Sequence, residues 1–593
     1  MTYSAPLRDM RFVYHELYDG SDLTELPGYE EATPDLVDAI LEEAAKFCEN
    51  ELAPLNRIGD EEGCTYENGV VRTPPGFKEA YDAFTGAGWS ALSVDPAYGG
   101  QGMPKTLDFL VEEMICASNL SFGTYPGLTI GAFNAINAHG EQALKDKYLP
   151  NMVAGTWSGT MCLTEPQCGT DLGLVRTKAV PQDDGSVEIT GTKIFITAGE
   201  HDMTENIIHL VLAKLPDAPP GIKGISLFLV PKFLVNDDGS LGQRNGVMCG
   251  SIEEKMGIHG SSTCVMNFEE ATGWLVGVPH KGMRAMFTMM NNARMGVACQ
   301  GIGLGEASYQ MASTYAKERL QGRSVKGPKH PDKPADPLIV HPDIRRMLLT
   351  MRAYNEGNRA LAVWVARALD FVKKHPDPAV RAEHDDLAAL LTPIAKAFFT
   401  DCGFEVTNLG VQIHGGMGFI RETGVEQFVR DARIAQIYEG ANGIQALDLV
   451  GRKMPQGMGR ALRFFFHPVS EYIEEKSADP ALMEFVMPLA KAFGRLQKAT
   501  GHIAQAGLKD PEEAAAAASD YLRLFGLVGL AYVWTRMAEI SMANLDGGEK
   551  EFYAAKISTA RFYMKRLLPQ TSALFATIMA GADSLMELDE AAF

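Results

Sequence analysis

Several features common in proteins of this size are scarce in this 593-residue chain. The longest apolar run, Leu524 to Trp534, stops far short of the ~20 residues a bilayer span requires. It also sits between Arg523 and Arg536, so no membrane span is expected. Basic charge is in deficit: 54 Lys plus Arg face 75 Asp plus Glu, a net charge of -21. A broad nucleic-acid or anionic-membrane partner needs a basic face, and neither is expected here; a local basic pocket stays open. The nine cysteines are scattered singly without CxxC spacing, which excludes a disulfide framework and leaves no metal site to expect. The opening MTYSAPLRDMRF puts charges where a secretory signal needs an apolar core, so a cytoplasmic location is expected. GxxxxGKS, HExxH and GxSxG are missing too, which argues against nucleotide hydrolysis, zinc proteolysis and serine hydrolysis.

What is present is the composition of a folded multi-domain protein, 46% apolar and 22% charged. Residues 1–35 carry Gly20, Pro27 and Pro34 without a clear helical period and read as an extension over a neighbouring surface. From Asp35 the apolar spacing of Leu36, Ala39, Ile40, Ala44 and Phe47 predicts an amphipathic helix ended by Pro54, opening a helical domain over 36–155. Between 156 and 279 the period shifts to strands: VEITGTKIFITAG reads as two strands joined at Gly191, followed by IIHLVLAKL, GISLFLV and STCVMNF. The helical period returns over 280–452, with KGPKHPDKPADP (326–337) as an exposed loop between helices. A further helical domain occupies 453–593, its alanine run at 514–518 being a strong helix former.

Five segments carry chemistry: MCLTEPQCGTDLG (161–173), KIFITAG (193–199), ERLQGR (318–323), QIHGGMGF (412–419) and RDARIAQIYEGANGIQ (430–445). Taken singly each is ordinary. Glu439 before Gly440 reads as a helix-end surface residue, Thr164 and Thr197 as turn and strand residues, and the Gly415–Gly416 pair as a helix stop. Their order and spacing resemble the acyl-CoA dehydrogenase family over roughly residues 36–450. That resemblance implies an α+β multi-domain fold: an N-terminal helical domain, a middle β domain and a C-terminal helical bundle, here followed by an extra helical domain. It implies an FAD-dependent dehydrogenase that removes an α-proton and a β-hydride from an acyl-CoA thioester.

The resemblance also assigns roles. Glu439 stands where the family has its catalytic base, and Gly440 lets the thioester approach, so that the Glu439 N–H bonds the carbonyl oxygen as charge develops there. Some members carry the base on a long helix just before an arginine; that position is Ala293 here, which takes no proton. Arg294 resembles the arginine supporting the catalytic loop, against a plain reading as a solvated helix cation. For FAD, Thr164 matches the contact to the pyrimidine edge, Thr170 the hydroxyl near the pyrophosphate, Phe195 the stacking aromatic and Thr197 the residue near N5. Arg319 matches the arginine that reaches the pyrophosphate of a neighbouring subunit, and Gln412, Gly415 and Gly416 the loop passing its adenine half. Ala441 and Gly443 depart from the Thr and Gln of many relatives. A homo-oligomer is implied, a dimer being favoured because the added C-terminal domain would cover the pairing surface of a tetramer. Electron-transfer flavoprotein is the expected acceptor, with an oxidase passing electrons to oxygen as the rival. The tyrosine-rich lead, the EGANGIQALDL ending and the extra domain resemble a long branch of the family acting on methylthio-substituted acyl-CoA. The expected substrate is 3-(methylthio)propanoyl-CoA, with short- to medium-chain acyl-CoAs as the alternative. Met283, Met286, Phe287 and Met290 line one helix face and read either as an acyl pocket or as core.

Overall fold

The computed structural model describes residues 3–593. Five blocks of sequence fold into two compact units. One, the sheet unit, comprises Lys46–Met103 and Met114–Gly296; the other, the helical unit, comprises residues 3–45, Pro104–Glu113 and Val297–Phe593.

In the sheet unit, seven strands form one sheet. Thr263–Leu275 pairs with Val187–Thr197, which pairs with Lys178–Pro181; Asn206–Lys214 and Ile225–Pro231 continue back to Thr263–Leu275, so five strands close on themselves. Val247–Ile252 and Trp157–Cys162 extend this ring. Strand periodicity explains the run IIHLVLA. Ile208, Leu210 and Leu212 face a core shared with the helical residues Ala132, Phe133, Tyr148 and Met286. Val211 and Ala213 face a second core with Phe228, Cys264 and Phe268. Both faces are covered, so the strand is apolar throughout rather than alternating. Met286 and Met289 are in the first core with Met283 and Met290 packed on it, so the methionine stripe is core packing.

Three sequence expectations change. Val187–Thr197 is one strand, not two; Gly191 lies within it, beside a register shift between Ile189 and Gly191 opposite Ala271 and Phe268, and a second shift falls between Lys193 and Ile196 opposite Met266 and Cys264. Pro54 does not end its helix. It occupies the first turn of a continuing helix, Ala53–Glu62, where a missing N–H costs nothing. The N-terminal lead is helical in part, at Leu7–Arg11 and in wide turns over Phe12–Leu17, with Met10, Phe12 and Val13 fully buried; Gly20 and Pro27 masked so short a period. Met1 and Thr2 lie outside the described residues.

The lead belongs to the helical unit and is fixed there by charge. Arg359, 0% exposed, bonds Glu113 through Nε at 2.9 Å and Nη2 at 2.5 Å, Glu306 at 3.2 Å, and Asp9 of the lead. Lys556 bonds Asp9 as well and reaches Glu356 at 2.7 Å, while Arg352 reaches Glu356 at 2.6 Å. Burial alone raises the carboxyl of Asp9, but Lys556 and Arg359 outweigh it and hold the group below its ordinary value. Nearby, the Tyr29 hydroxyl donates to buried Asp370 at 2.9 Å, which also accepts from the N–H and hydroxyl of Thr106.

Close helix crossings complete this unit. A Cβ on Gly301 would meet the Phe399 carbonyl oxygen at 2.5 Å, and one on Gly526, in the Pro511–Ala543 helix, would overlap the Phe398 ring. The Pro378–His414 helix is thus wedged between core and C-terminal helices. It and Pro511–Ala543 are long and apolar enough to cross a membrane by length and composition, yet 83% and 67% of their most apolar windows are buried.

Removing one ion from a buried pair strands the other, at roughly 3–5 kcal/mol. Arg359→Met is therefore expected to lose about that much stability in urea unfolding. A loss under about 1 kcal/mol would mean that the carboxylates find water or protons without cost.

Candidate active site

The LTEP turn and the KIFITAG strand end lie side by side in the sheet unit. The Ile194 N–H donates to the Thr164 carbonyl at 2.9 Å. Beneath them a buried ion pair ties both segments: Lys193 Nζ donates to Glu165 at 2.8 Å and to the Leu163 carbonyl at 3.0 Å. Glu165 also accepts from the Thr177 hydroxyl at 2.5 Å and from the N–H groups of Arg176 and Thr177 at 2.8 and 3.1 Å. Burial by itself raises the Glu165 carboxyl, but Lys193 and these donors pull it down to about 2.

With Glu165 and Lys193 turned inward, the neighbouring residues face out. Phe195 is 59% exposed, with φ at +59° on the bulge. A left-handed backbone at a bulky residue costs on the order of 1–3 kcal/mol and persists only where its surroundings enforce it. Thr164 and Thr197 are half-buried beside it, and Thr170 is exposed on the following bend. An exposed aromatic plane flanked by threonine hydroxyls suits a flat, polar-edged ring such as isoalloxazine. Arg294, also in this unit, is buried at 7% exposure, with its guanidinium 5.9 Å from the Phe287 ring, so it is not a solvated helix cation.

The remaining candidates lie in the helical unit. Arg319 is exposed just beyond the end of its helix, and its carbonyl accepts the Leu338 N–H at 2.8 Å where the 326–337 loop returns. Gly415 closes the Pro378–His414 helix at φ +60°, as a helix stop does, and a Cβ on Gly415 or Gly416 would meet open space. Gln412 is exposed on the last turn. The glycine pair is thus both the stop of a helix and a bare backbone surface.

Glu439 and Gly440 form a turn with consecutive positive φ, +56° and +88°. Glu439 is half-buried rather than enclosed. The turn is apolar in sequence but polar beneath. Lys396 donates to the Gly440 carbonyl at 2.8 Å and to Asn442 Oδ1 at 2.9 Å. Gln445 Nε2 donates to the carbonyls of Glu439 and Gly440, both at 3.2 Å. Asn442 and Gln436 each donate to Asp401 at 2.7 Å, and the Tyr438 hydroxyl bonds Gln300. None of these supports was among the sequence candidates. Lys396, a single charge inside the apolar stretch LLTPIAKAFF, was the available signal, as was Lys193 inside a strand.

Three profiles, the N-terminal, middle and C-terminal domains of acyl-CoA dehydrogenases, match residues 35–156, 160–271 and 280–454, and an acetyl-CoA dehydrogenase C-terminal-like profile matches 465–589. The chain belongs to the acyl-CoA dehydrogenase family and is an FAD-dependent oxidoreductase acting on an acyl-CoA thioester. It is 45% identical over 588 residues to 3-methylmercaptopropionyl-CoA dehydrogenase of Ruegeria pomeroyi, covering 99% of each chain. It is 34% identical over 609 residues to a butyryl-CoA dehydrogenase of Syntrophomonas wolfei, covering 100% of this chain and 99% of that one. An acyl-CoA dehydrogenase from Bacillus anthracis, solved with FAD, shares the fold at a TM-score of 0.73, with 21% identity over 94% of this chain and 90% of that one.

Replacing Glu165 by Gln leaves the Lys193 ammonium buried without its anion, and a loss of ~3–5 kcal/mol is expected in denaturant unfolding. The sign with pH follows from the depressed carboxyl: its stabilisation is complete above the unfolded value of about 4.3 and fades as pH falls toward about 2. The variant should therefore show a flatter stability profile between those limits, and an unchanged slope would refute the ion pair.

Proposed function

We propose that Glu439 is the base that takes the α-proton of 3-(methylthio)propanoyl-CoA, giving 3-(methylthio)acryloyl-CoA. The observation that carries the base assignment is the Glu439–Gly440 turn itself, held with two positive φ angles and both carbonyls bonded. A non-glycine residue is kept in that conformation only by external restraint, and such restraint is commonest where geometry serves chemistry. In the proposed complex the Glu439 carboxylate takes the proton. Its backbone N–H donates to the thioester oxygen as that oxygen gains charge, and Gly440, without a side chain, leaves room for the acyl group. Bound FAD supplies the oxidised ring that accepts the β-hydrogen as hydride. The substrate thus loses one proton and one hydride and becomes the enoyl thioester. In the sheet unit Thr164, Thr170, Phe195 and Thr197 would hold the flavin ring and its nearer phosphate. In the helical unit Arg319, Gln412, Gly415 and Gly416 would hold the phosphates and adenosine of FAD in a second copy.

A homodimer is the proposed assembly. Phe419 is 84% exposed, with Met417 at 47% and Ile420 at 40% beside it, an apolar surface next to the Gln412–Gly416 turn that a second copy would cover. Electron-transfer flavoprotein is the proposed acceptor, in keeping with the dehydrogenase names of the relatives. The methylthio substrate is supported by 45% identity to the Ruegeria enzyme against 34% to the butyryl-CoA enzyme. A thioether and a methylene are nearly isosteric, and a hydrophobic pocket separates such groups by only about 1–3 kcal/mol. Turnover of butanoyl- and pentanoyl-CoA is expected alongside.

Glu439→Gln is expected to keep FAD and acyl-CoA binding while flavin reduction falls by 10²–10⁴-fold or more, on the order of a general-base contribution. Near-normal reduction in stopped flow would refute the base assignment. A kcat/KM series from C3 to C16 acyl-CoAs plus the methylthio thioester tests the substrate. A maximum at long chains would replace it with a general acyl-CoA dehydrogenase, and rapid oxygen use with no reaction toward electron-transfer flavoprotein would make it an oxidase.

A further inference from the structure

The Pro378–His414 helix carries one ammonium group where its chemistry is costly. Lys396 is 0% exposed, and its neighbours Ile394, Ala395, Ala397 and Phe398 are all at 1% or less. A charge placed there loses several kcal/mol of hydration unless its partners compensate. Core packing would be served by leucine or methionine of similar volume. The ammonium reaches the turn that contains Glu439.

Two bonds define that contact. Nζ donates to the Gly440 carbonyl at 2.8 Å and to the Asn442 amide oxygen at 2.9 Å. The other end of the Asn442 amide donates to the Asp401 carboxylate at 2.7 Å and the Thr400 hydroxyl at 3.0 Å. Cation on one side and carboxylate on the other leave the amide a single orientation, since a flipped amide would turn NH₂ toward the ammonium. From the following helix Gln445, 0% exposed, donates to both turn carbonyls at 3.2 Å. The Gly440 carbonyl thus receives two donors, from helices on either side of it in the chain.

We propose that Lys396 is a positioning residue for the reaction: it fixes the Gly440 peptide plane, with Gln445 as its counterpart, and thereby aims the Glu439 carboxylate and N–H. The proposal rests on Glu439 being the base. A left-handed Glu439 relaxes when its restraints are removed, because extended and right-handed conformations are lower in energy. Relaxation rotates the adjoining peptide, and a displacement near 1 Å in a reacting group costs about 10²-fold in rate. Because Lys396 acts on the Gly440 carbonyl, its effect falls on chemistry rather than on affinity.

The test uses the FAD-loaded enzyme with Lys396→Met and Gln445→Met, read by anaerobic stopped flow. Both variants should retain FAD and bind the enoyl-CoA product, followed by its perturbation of the flavin spectrum, within about threefold of wild type. Flavin reduction should fall by about 10²-fold in Lys396→Met, and less in Gln445→Met, because one donor to the Gly440 carbonyl persists. Reduction within about twofold of wild type in Lys396→Met overturns the proposal. So does a rate loss matched by equal losses of FAD and of product binding, which is the mark of a purely structural lysine. If Lys396→Met does not fold, Gln445→Met decides by the same criteria. Glu439→Gln separates this proposal from the one beneath it. If that variant is dead and Lys396→Met is normal, positioning alone fails; if that variant is active, the base assignment fails first.

Discussion

Taking an ammonium or guanidinium out of water costs several kcal/mol per ion, repaid only by well-placed partners. The helical unit accepts that cost three times, at Arg359, Lys396 and Lys556, all 0% exposed. Each is met by groups distant in sequence, so each solution fixes topology. Arg359 and Lys556 share Asp9, which binds the first helical turn of the chain and the helix Lys550–Phe562 to the helix Pro342–Lys374. A hydrophobic contact tolerates sliding by a residue or a turn, but a shared buried carboxylate does not. The lead and the added C-terminal domain are therefore built into this unit instead of being attached to it.

The sheet unit applies the same rule on a smaller scale. Lys193 points inward from a strand whose outward neighbour is Phe195, and Glu165 points inward from the turn that carries Thr164. One ion pair therefore sets the relation between the two segments that would face the flavin. Period-2 alternation alone would place Phe195, two residues on, on the same inward face as the buried lysine. The bulge between Lys193 and Ile196 adjusts this alternation and re-aims the aromatic ring.

Much of this was legible in the chain. The helical period over 280–452 and the apolar strands over 206–231 gave the layers, because those patterns reflect burial directly. The reaction was legible only through the resemblance of the ordered motifs LTEP, KIFITAG and YEG to the acyl-CoA dehydrogenase family. What was not legible is long-range polar pairing: nothing in the lead announces that Asp9 meets Arg359, 350 residues away. Pro54 and Gly191 misled for a related reason. Proline in a first turn and glycine within a strand are tolerated when the surrounding packing supplies the order. The positive φ of Phe195 is invisible because backbone strain has no residue signature outside glycine and asparagine. Lys193 and Lys396 were visible as charges in apolar runs, a signal that marks a buried partner without saying which.

Ala441 and Gly443, which by the family resemblance stand in place of a threonine and a glutamine, flank the turn without holding it. Neither residue offers a polar side chain, and a Cβ at Gly443 would meet open space. The polar hold on the turn therefore comes from beneath and from one helical turn onward, through Lys396 and Gln445 acting on backbone carbonyls. Backbone carbonyls are the same whatever side chains stand at 441 and 443, so those positions are free to vary with the cofactor's contacts. Positions 396 and 445 are not: each must present an N–H donor at full burial, and the isosteric apolar residue would leave a carbonyl desolvated without a partner. A fixed hold on the base combined with free side chains around it lets one reaction be kept while the acyl and cofactor contacts change, as expected for a family whose members differ in substrate but not in chemistry.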